Sequence, residues 1–288
     1  MTGLAETEVT LPNGYWQGGV CYREARVRGV AEGEELEAEL TGNLLPLERT
    51  RLMLARCVTR LGSLEGAEAG VFRALCMGDL EALLLQVRRM TFGERMDCVL
   101  SCPACGERMD FLLNAEALIL PATQPAQQSC EEEFAVDGVR FRVKLRVPTA
   151  GDVEDALGVV PHAPLAAVRE LMARCVESVR LPAEQEKEVP ATEWPAGLVA
   201  QISARMAELD PQAETKLQLH CPVCKHAFAA FFEACNFFFQ ELSERERRLH
   251  EEVHQLALSY HWSESDILRM TPRKRKLYLD LLAGGTYE

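Results

Sequence analysis

Apolar residues recur along this chain at two different periods, and the period changes where turn residues fall. Leu47, Leu54, Val58 and Leu61 lie at helical spacing, with Gly62 placed to stop the run. Leu80, Leu83, Leu84 and Val87 form the stripe of a second helix from about Gly78 to Met90. Asp79 stands in its first turn and Gly93 ends it. Between Arg95 and Leu113 the period drops to two: Cys98 and Leu100, then Met109, Phe111 and Leu113, predict two strands flanking a turn at Cys102–Cys105. Upstream, Gly18-Gly19 and the stretch Arg23 to Glu39 read as short opening strands, with turns at Gly29 and Gly33.

The same succession follows a polar linker at Pro121 to Gln128. Phe134 to Val147 alternates around Asp137-Gly138, a hairpin signal. A helix is expected over Leu165 to Val179, a solvent loop without fixed structure over Pro182 to Pro195, and a helix over Gly197 to Leu209. Leu217 to Phe232 reads as a second hairpin. Beyond it, Ser243-Glu244-Arg245-Glu246 has the form of a capping box opening a helix to about Tyr260. Ser263-Glu264-Ser265-Asp266 and Thr271-Pro272 each start a further short helix.

This succession is a repetition in the residues themselves. LMLARCV at 52–58 recurs as LMARCV at 171–176, and LSCPAC at 100–105 recurs as LHCPVC at 219–224. The Arg-Cys-Val elements are offset by 118 residues (174 − 56) and the Cys-Pro-x-Cys elements by 119 (221 − 102). Two motifs holding nearly one offset imply a duplicated structural unit. The expected fold is α+β: two helix-pair units, each with a knuckle hairpin, sharing one zinc-ribbon-like site and followed by a helical appendage. The boundaries this gives are 1–120, 121–240 and 241–288.

A tetrahedral zinc site normally takes two Cys-x-x-Cys knuckles. Cys102, Cys105, Cys221 and Cys224 supply them, so one structural zinc is expected to close the two units on each other. Pro103 stiffens the first turn and Gly106 can take positive φ, whereas the second knuckle has Lys225 at that place. His220 and His226 could substitute as ligands, while Cys98, Cys130 and Cys235 lie nearby and read as core thiols, like Cys57 and Cys175. A redox reading of the knuckles fits less well, because neither stands at the opening of a helix.

Composition narrows the rest. A net charge of −13 argues against a nucleic-acid coat, although Arg273-Lys274-Arg275-Lys276 forms one local basic run. No segment approaches the roughly 18–20 apolar residues of a membrane span. The N-terminus lacks the basic and apolar regions of a secretory signal. With 11 cysteines and no such signal, the reducing cytosol is the expected compartment. His250-Glu251-Glu252-Val253-His254 matches the H-E-x-x-H helix of zinc hydrolases, with His250 and His254 as ligands and Glu251 as base. Its charged surroundings and the lack of a third ligand in frame weigh against that reading. Zinc-dependent hydrolysis and nucleic-acid binding through the ribbon remain the competing classes.

Three segments carry a family resemblance: GDLEALLLQVRRMTFGERMDCVLSCPACG (78–106), LDPQAETKLQLHCPVCKHAF (209–228) and LHEEVHQLALSYHWSESDILRMTPRKRKLYLDLL (249–282). The chain resembles the T-even phage base plate protein family of contractile tails and phage-tail-like contractile injection systems. Its C-terminus looks like that of tail assembly chaperones. The resemblance covers most of the chain from about Leu47 onward. It implies a non-enzymatic baseplate component or assembly factor, working with other baseplate, hub, spike or tape-measure proteins and either retained in the tail particle or released from it as a transient chaperone. In the tail, Trp262, Ile267, Leu268, Leu277, Tyr278 and Leu281 are many large apolar residues for a short terminus. Either they pack back on the core, or with Arg273 and Arg275 they form a partner-binding surface.

Overall fold

Gly18 and Gly19, at φ +59° and +79°, turn the chain from β1 (Glu6–Gln17) into β2 (Val20–Arg28). The computed structural model describes residues 5–34, 44–122, 129–159, 164–182 and 187–284. They divide into two compact units, one drawn from Met1–Val30 and Leu45–Cys235, the other from Ala31–Leu44 and Asn236–Glu288.

In the larger unit, β1 and β2 continue into β3 (Val58–Leu61) and β4 (Leu64–Glu65), giving a four-stranded antiparallel sheet in the order β1-β2-β3-β4. Before β3 stands helix α1 (Pro46–Cys57), with proline in its first turn, where no N–H is needed. After β4, α2 (Met77–Phe92) packs on β1, β2 and α1, and Gly93 stops it at φ +87°. Val9, Leu11, Ala25, Val27, Met53, Leu54, Leu83, Leu84 and Val87 are buried here. The pairing of β1 with β2 breaks between Thr10 and Tyr15, and Arg23 donates from Nε to the Leu11 carbonyl and from Nη2 to the Pro12 carbonyl. This irregularity carries Asn13 to the start of α2.

Strands β5 (Arg95–Ser101) and β6 (Arg108–Asn114) then form a separate hairpin, and Asn114 caps a short helix, α3 (Ala115–Leu118), by accepting the Glu116 N–H. The chain continues through β7 (Cys130–Val136), β8 (Val139–Leu145), α4 (Ala150–Val159), α5 (Pro164–Cys175), β9 (Val176–Leu181) and β10 (Lys187–Glu188). These four strands form a sheet in the order β7-β8-β9-β10, with Asp137 and Gly138, both at positive φ, making the β7–β8 turn. Val143, Leu145 and Val179 of this sheet pack with Met172 and Cys175 of α5 and with Leu198 and Ile202 of α6 (Ala196–Leu209). A second hairpin closes the unit, β11 (Thr215–His220) with β12 (Ala227–Phe232). An isolated bridge pairs Cys76, just before α2, with Thr149, just before α4.

Three expectations from sequence need correction. The helices expected over 47–61 and 165–179 both end at the cysteine of Arg-Cys-Val. The following valine begins a strand: Val58 pairs with Val27, and Val176 with Leu145. Both valines fit a helical stripe, but β-branched residues facing an open strand edge are drawn into the sheet. Ser243 opens nothing. It lies inside α7 (Ala234–Tyr260), where its hydroxyl donates to the Phe239 carbonyl four residues back. Part of the acidic stretch 182–195 is also ordered: Lys187–Glu188 is β10, and Val189 and Trp194 pack on the core of the second sheet. Most of the linker at 121–128 lies outside the described residues, as do residues 35–39 of the opening strands.

The smaller unit holds most of α7, then α8 (Glu264–Leu268) and α9 (Pro272–Leu282). Ser263 caps α8 and Thr271 caps α9, each accepting an N–H three residues on. No helix among the described residues is long and apolar enough to cross a membrane.

Candidate metal centre

Each hairpin ends in a knuckle whose backbone curls around its first cysteine. Cys102 N–H donates to the Glu107 carbonyl and Gly106 N–H to the Cys102 carbonyl, at 2.8 and 2.9 Å. The second knuckle repeats this with Cys221 N–H to His226 and Lys225 N–H to Cys221, at 2.9 and 3.0 Å. The fifth residue of each sits in the left-handed region, Gly106 at φ +74° and Lys225 at φ +61°. Lysine thus holds the conformation that glycine adopts freely, and its ammonium donates to the Pro222 carbonyl.

The knuckles meet. Cys102 Sγ lies 3.7 Å from Cys224 Sγ, and Cys105 Sγ lies 3.7 Å from Cys221 Sγ. All four sulfurs fall within 4.8 Å of one another. A tetrahedron with metal–sulfur bonds of about 2.3 Å has sulfurs about 3.8 Å apart. The separations are far beyond the roughly 2.05 Å of a disulfide, and all four cysteines are free thiols. Cys102 and Cys221 are 2% and 1% exposed, packed with Met109, Leu100 and Phe228, while Cys105 and Cys224 face outward.

The site is electrostatically uneven. Backbone N–H groups of Cys224 and Val223 directed at Cys221, opposed by burial, bring its thiol down to about 7. Cys105 accepts the Glu107 N–H, yet the sulfurs of Cys224, Cys221 and Cys102 around it push it up to about 12. Four sulfurs crowded without a cation between them resist ionising together; a divalent ion removes that conflict by binding the thiolates. The donor set, its spacing and its half-buried seat fit such an ion.

The other residues singled out in sequence lie elsewhere. His220 and His226 are exposed, and His226 stacks on Phe228 at 6.0 Å. Cys57, Cys98 and Cys175 are buried, while Cys130 and Cys235 are half-buried. His250, Glu251 and His254 are exposed on α7, with Glu251 near Arg247 at 3.7 Å, and they join no metal-ligand cluster among the described residues.

The tail residues separate into two groups. Ile267 and Arg275 are buried. Arg275 donates to Glu252 Oε2 at 2.8 Å, to the Met270 carbonyl at 2.9 Å and to Glu32. Trp262, Leu268, Tyr278 and Leu281 are half-buried, while Arg273 and Leu277 are exposed. Trp262 stacks on Tyr260 at 4.5 Å, and Tyr278 meets both rings edge-on. Sequence reasoning missed the burial of Arg275, and it also missed a buried polar group around Asn13, Asp79 and Asp210. The available signals were an Asn-Gly pair interrupting β1 and an aspartate next to a glycine at a helix start.

Neither the curated proteins nor the solved structures contain a match to this chain. A family model does match, over residues 50–239, a span that takes in both knuckles and both Arg-Cys-Val elements. By that match the chain belongs to the T4 bacteriophage base plate protein family.

Proposed function

We propose that this chain is a non-enzymatic baseplate component or chaperone-like assembly factor of a contractile tail or injection system, held together by one structural zinc. The four-sulfur cluster is the observation that carries the zinc reading. Cys102 and Cys105 come from one hairpin and Cys221 and Cys224 from the other, so an ion there ties segments more than a hundred residues apart. All-sulfur donors select zinc over calcium or magnesium, and four of them leave no open position for a substrate.

A duplicated ancestry for residues 1–120 and 121–240 is part of the reading. Its support is the common succession of hairpin, helix, strand pair, helix and knuckle hairpin, to which the second half adds α4, with the Arg-Cys-Val junction at the same place in each. Residues 241–288 form the third part, and in the particle they act as the docking element. Trp262, Leu268, Leu277, Tyr278, Leu281 and Arg273 offer the contact surface, with Ile267 and Arg275 supporting it from inside. The partner is another baseplate, hub, spike or tape-measure protein, and assembly takes place in the bacterial cytoplasm.

Metal analysis of the purified protein tests the first part: near-stoichiometric zinc, lost in Cys221→Ser, is expected, and metal-free folded protein would overturn it. The second is tested by whether Leu277→Asp with Arg273→Glu blocks particle assembly while the protein stays folded. Glu251→Gln should leave assembly intact. An activity abolished by that change would revive the hydrolase reading.

A further inference from the structure

Two carboxyl groups share Asn13 at the start of α2, away from the four clustered cysteines. Asp79 is fully buried in the first turn of that helix, and its Oδ1 accepts the Asn13 N–H at 2.8 Å. Asp210, at the end of α6, accepts the Gly78 N–H on Oδ2 at 2.9 Å and the Asn13 side-chain amide on Oδ1 at 2.8 Å. One residue of the irregular stretch in β1 therefore touches both acids. Asp210 in turn satisfies a helix-start N–H that has no partner within α2. The fit is close: a Cβ on Gly78 would stand 1.9 Å from Asp210 Oδ1. Two residues on, Gln212 is buried and bonds both ways to the backbone at the end of α3, accepting the Leu120 N–H and donating to the Leu118 carbonyl. Asp79 Oδ2 is buried and has no hydrogen-bond partner among the described residues.

A bare oxygen is costly on a buried anion and far less so on a neutral acid, where a proton removes the charge. We propose that Asp79 and Asp210 hold one proton between them near neutral pH, and that this proton keeps β1, the start of α2 and the 210–213 turn clamped together. Burial raises Asp79 to about 7 against the pull of the Asn13 and Gly14 N–H groups, and the charge of Asp210 adds to the rise. Burial raises Asp210 as well, opposed by the Gly78 N–H and the Asn13 amide. The other charged or titratable groups facing the pair are few. Arg23 of β2 favours the anion of Asp79. Cys21 of β2 and Cys76 before α2 have thiols raised by burial and are uncharged. Arg146 and Asp152, at the start of the α4 segment, act on Cys76. β1 presents Asn13, which does not titrate.

The sign follows from the rise. An aspartate of ordinary pKa about 3.9 when unfolded loses its proton first in the unfolded chain, so the folded protein holds the extra proton between about pH 4 and 7. Stability is greatest at the acid end of that window and falls as pH rises through it, levelling off once Asp79 ionises. For one proton the unfolding constant rises by up to about tenfold per pH unit. Glu81 on α2, raised to about 7 by burial and the charge of Glu233, adds a parallel slope of its own. The readout is therefore the difference between variants.

Denaturant unfolding of the full chain from pH 5 to 8 tests the clamp. Asp79→Asn, which keeps the shape without a titrating proton, should lose up to about tenfold per pH unit of the wild-type slope and match or exceed wild-type stability at pH 8. Glu81→Gln should retain the slope due to Asp79. An unchanged slope in Asp79→Asn would overturn the proposal. If that variant does not fold, the carboxyl carbon resonances of 13C-aspartate wild-type protein decide: one titrating near neutrality supports the shared proton, and none above pH 5 refutes it.

Discussion

Lys225 holds, at φ +61°, the knuckle position that Gly106 holds at φ +74°. A left-handed residue with a Cβ is strained by about 1 kcal/mol, and glycine is not. The Lys225 ammonium recovers part of that through its bond to the Pro222 carbonyl, but the lysine is exposed and the bond competes with water. Lys225→Gly should therefore leave the fold intact and stabilise the protein by about 0.5–1 kcal/mol. Lys225→Val, β-branched in the same conformation, should destabilise it by more than that. Denaturant midpoints of the metal-loaded protein check both.

The basic run at 273–276 is not one surface. Arg275 is 1% exposed and serves Glu252, Glu32 and the Met270 carbonyl, whereas Arg273, Lys274 and Lys276 face solvent. Arg275→Ala removes a buried cation with several charge-assisted bonds and should cost about 2–4 kcal/mol. Arg273→Ala should change stability by less than about 0.5 kcal/mol. Protection of α9 amides from hydrogen exchange separates the two: it should fall in the first variant and persist in the second.

What sequence made legible were features with short-range causes. Cys-Pro-x-Cys announces a knuckle, Asp137-Gly138 a turn, and Gly93 a helix stop, because each acts through its own backbone. The junctions at Cys57-Val58 and Cys175-Val176 were not legible, since the two valines are strand residues through pairing with Val27 of β2 and Leu145 of β8. Asp79 was visible as a first-turn acid, a position favoured by the helix dipole. Its link to Asp210 through Asn13 spans almost the whole larger unit and leaves no local trace. Arg275 was misjudged for the same reason: Glu32 lies 243 residues away.

Acid should weaken the protein at a different place from alkali. Burial works against the charge on Asp152, but the Arg146 guanidinium, at 2.5 and 2.9 Å, and the Thr149 N–H and hydroxyl more than offset it. Its folded pKa lies below the ordinary value, so it contributes stability that is fully present above about pH 4. That contribution is lost as pH falls through the folded pKa. Asp152→Asn should be less stable than wild type at pH 7 by about 1–2 kcal/mol, with the gap narrowing below about pH 4. Paired unfolding curves at pH 7 and 3 check the sign, which is opposite to that expected for Asp79.

On the zinc reading proposed above, removal of the metal should release the knuckles before it releases the sheets. Among the described residues, Leu100, Met109 and Phe228 supply the apolar packing around the cysteines. The second sheet has a much larger core of its own, including Val143, Leu145, Val179, Leu198 and Ile202. A structural zinc contributes its binding energy to the segments that hold it, and the remainder of a large domain keeps its own core. Chelation at neutral pH should therefore cost several kcal/mol, consistent with known structural sites. It should strip hydrogen-exchange protection from β5, β6, β11 and β12 while Val27 and Val143 stay protected. Cys221→Ser should behave as the chelated protein does, because losing one buried thiolate breaks the tetrahedron. Equal loss of protection in the sheets and the hairpins would mean that the ion holds the whole unit, and no loss anywhere would mean that the sulfurs hold no ion.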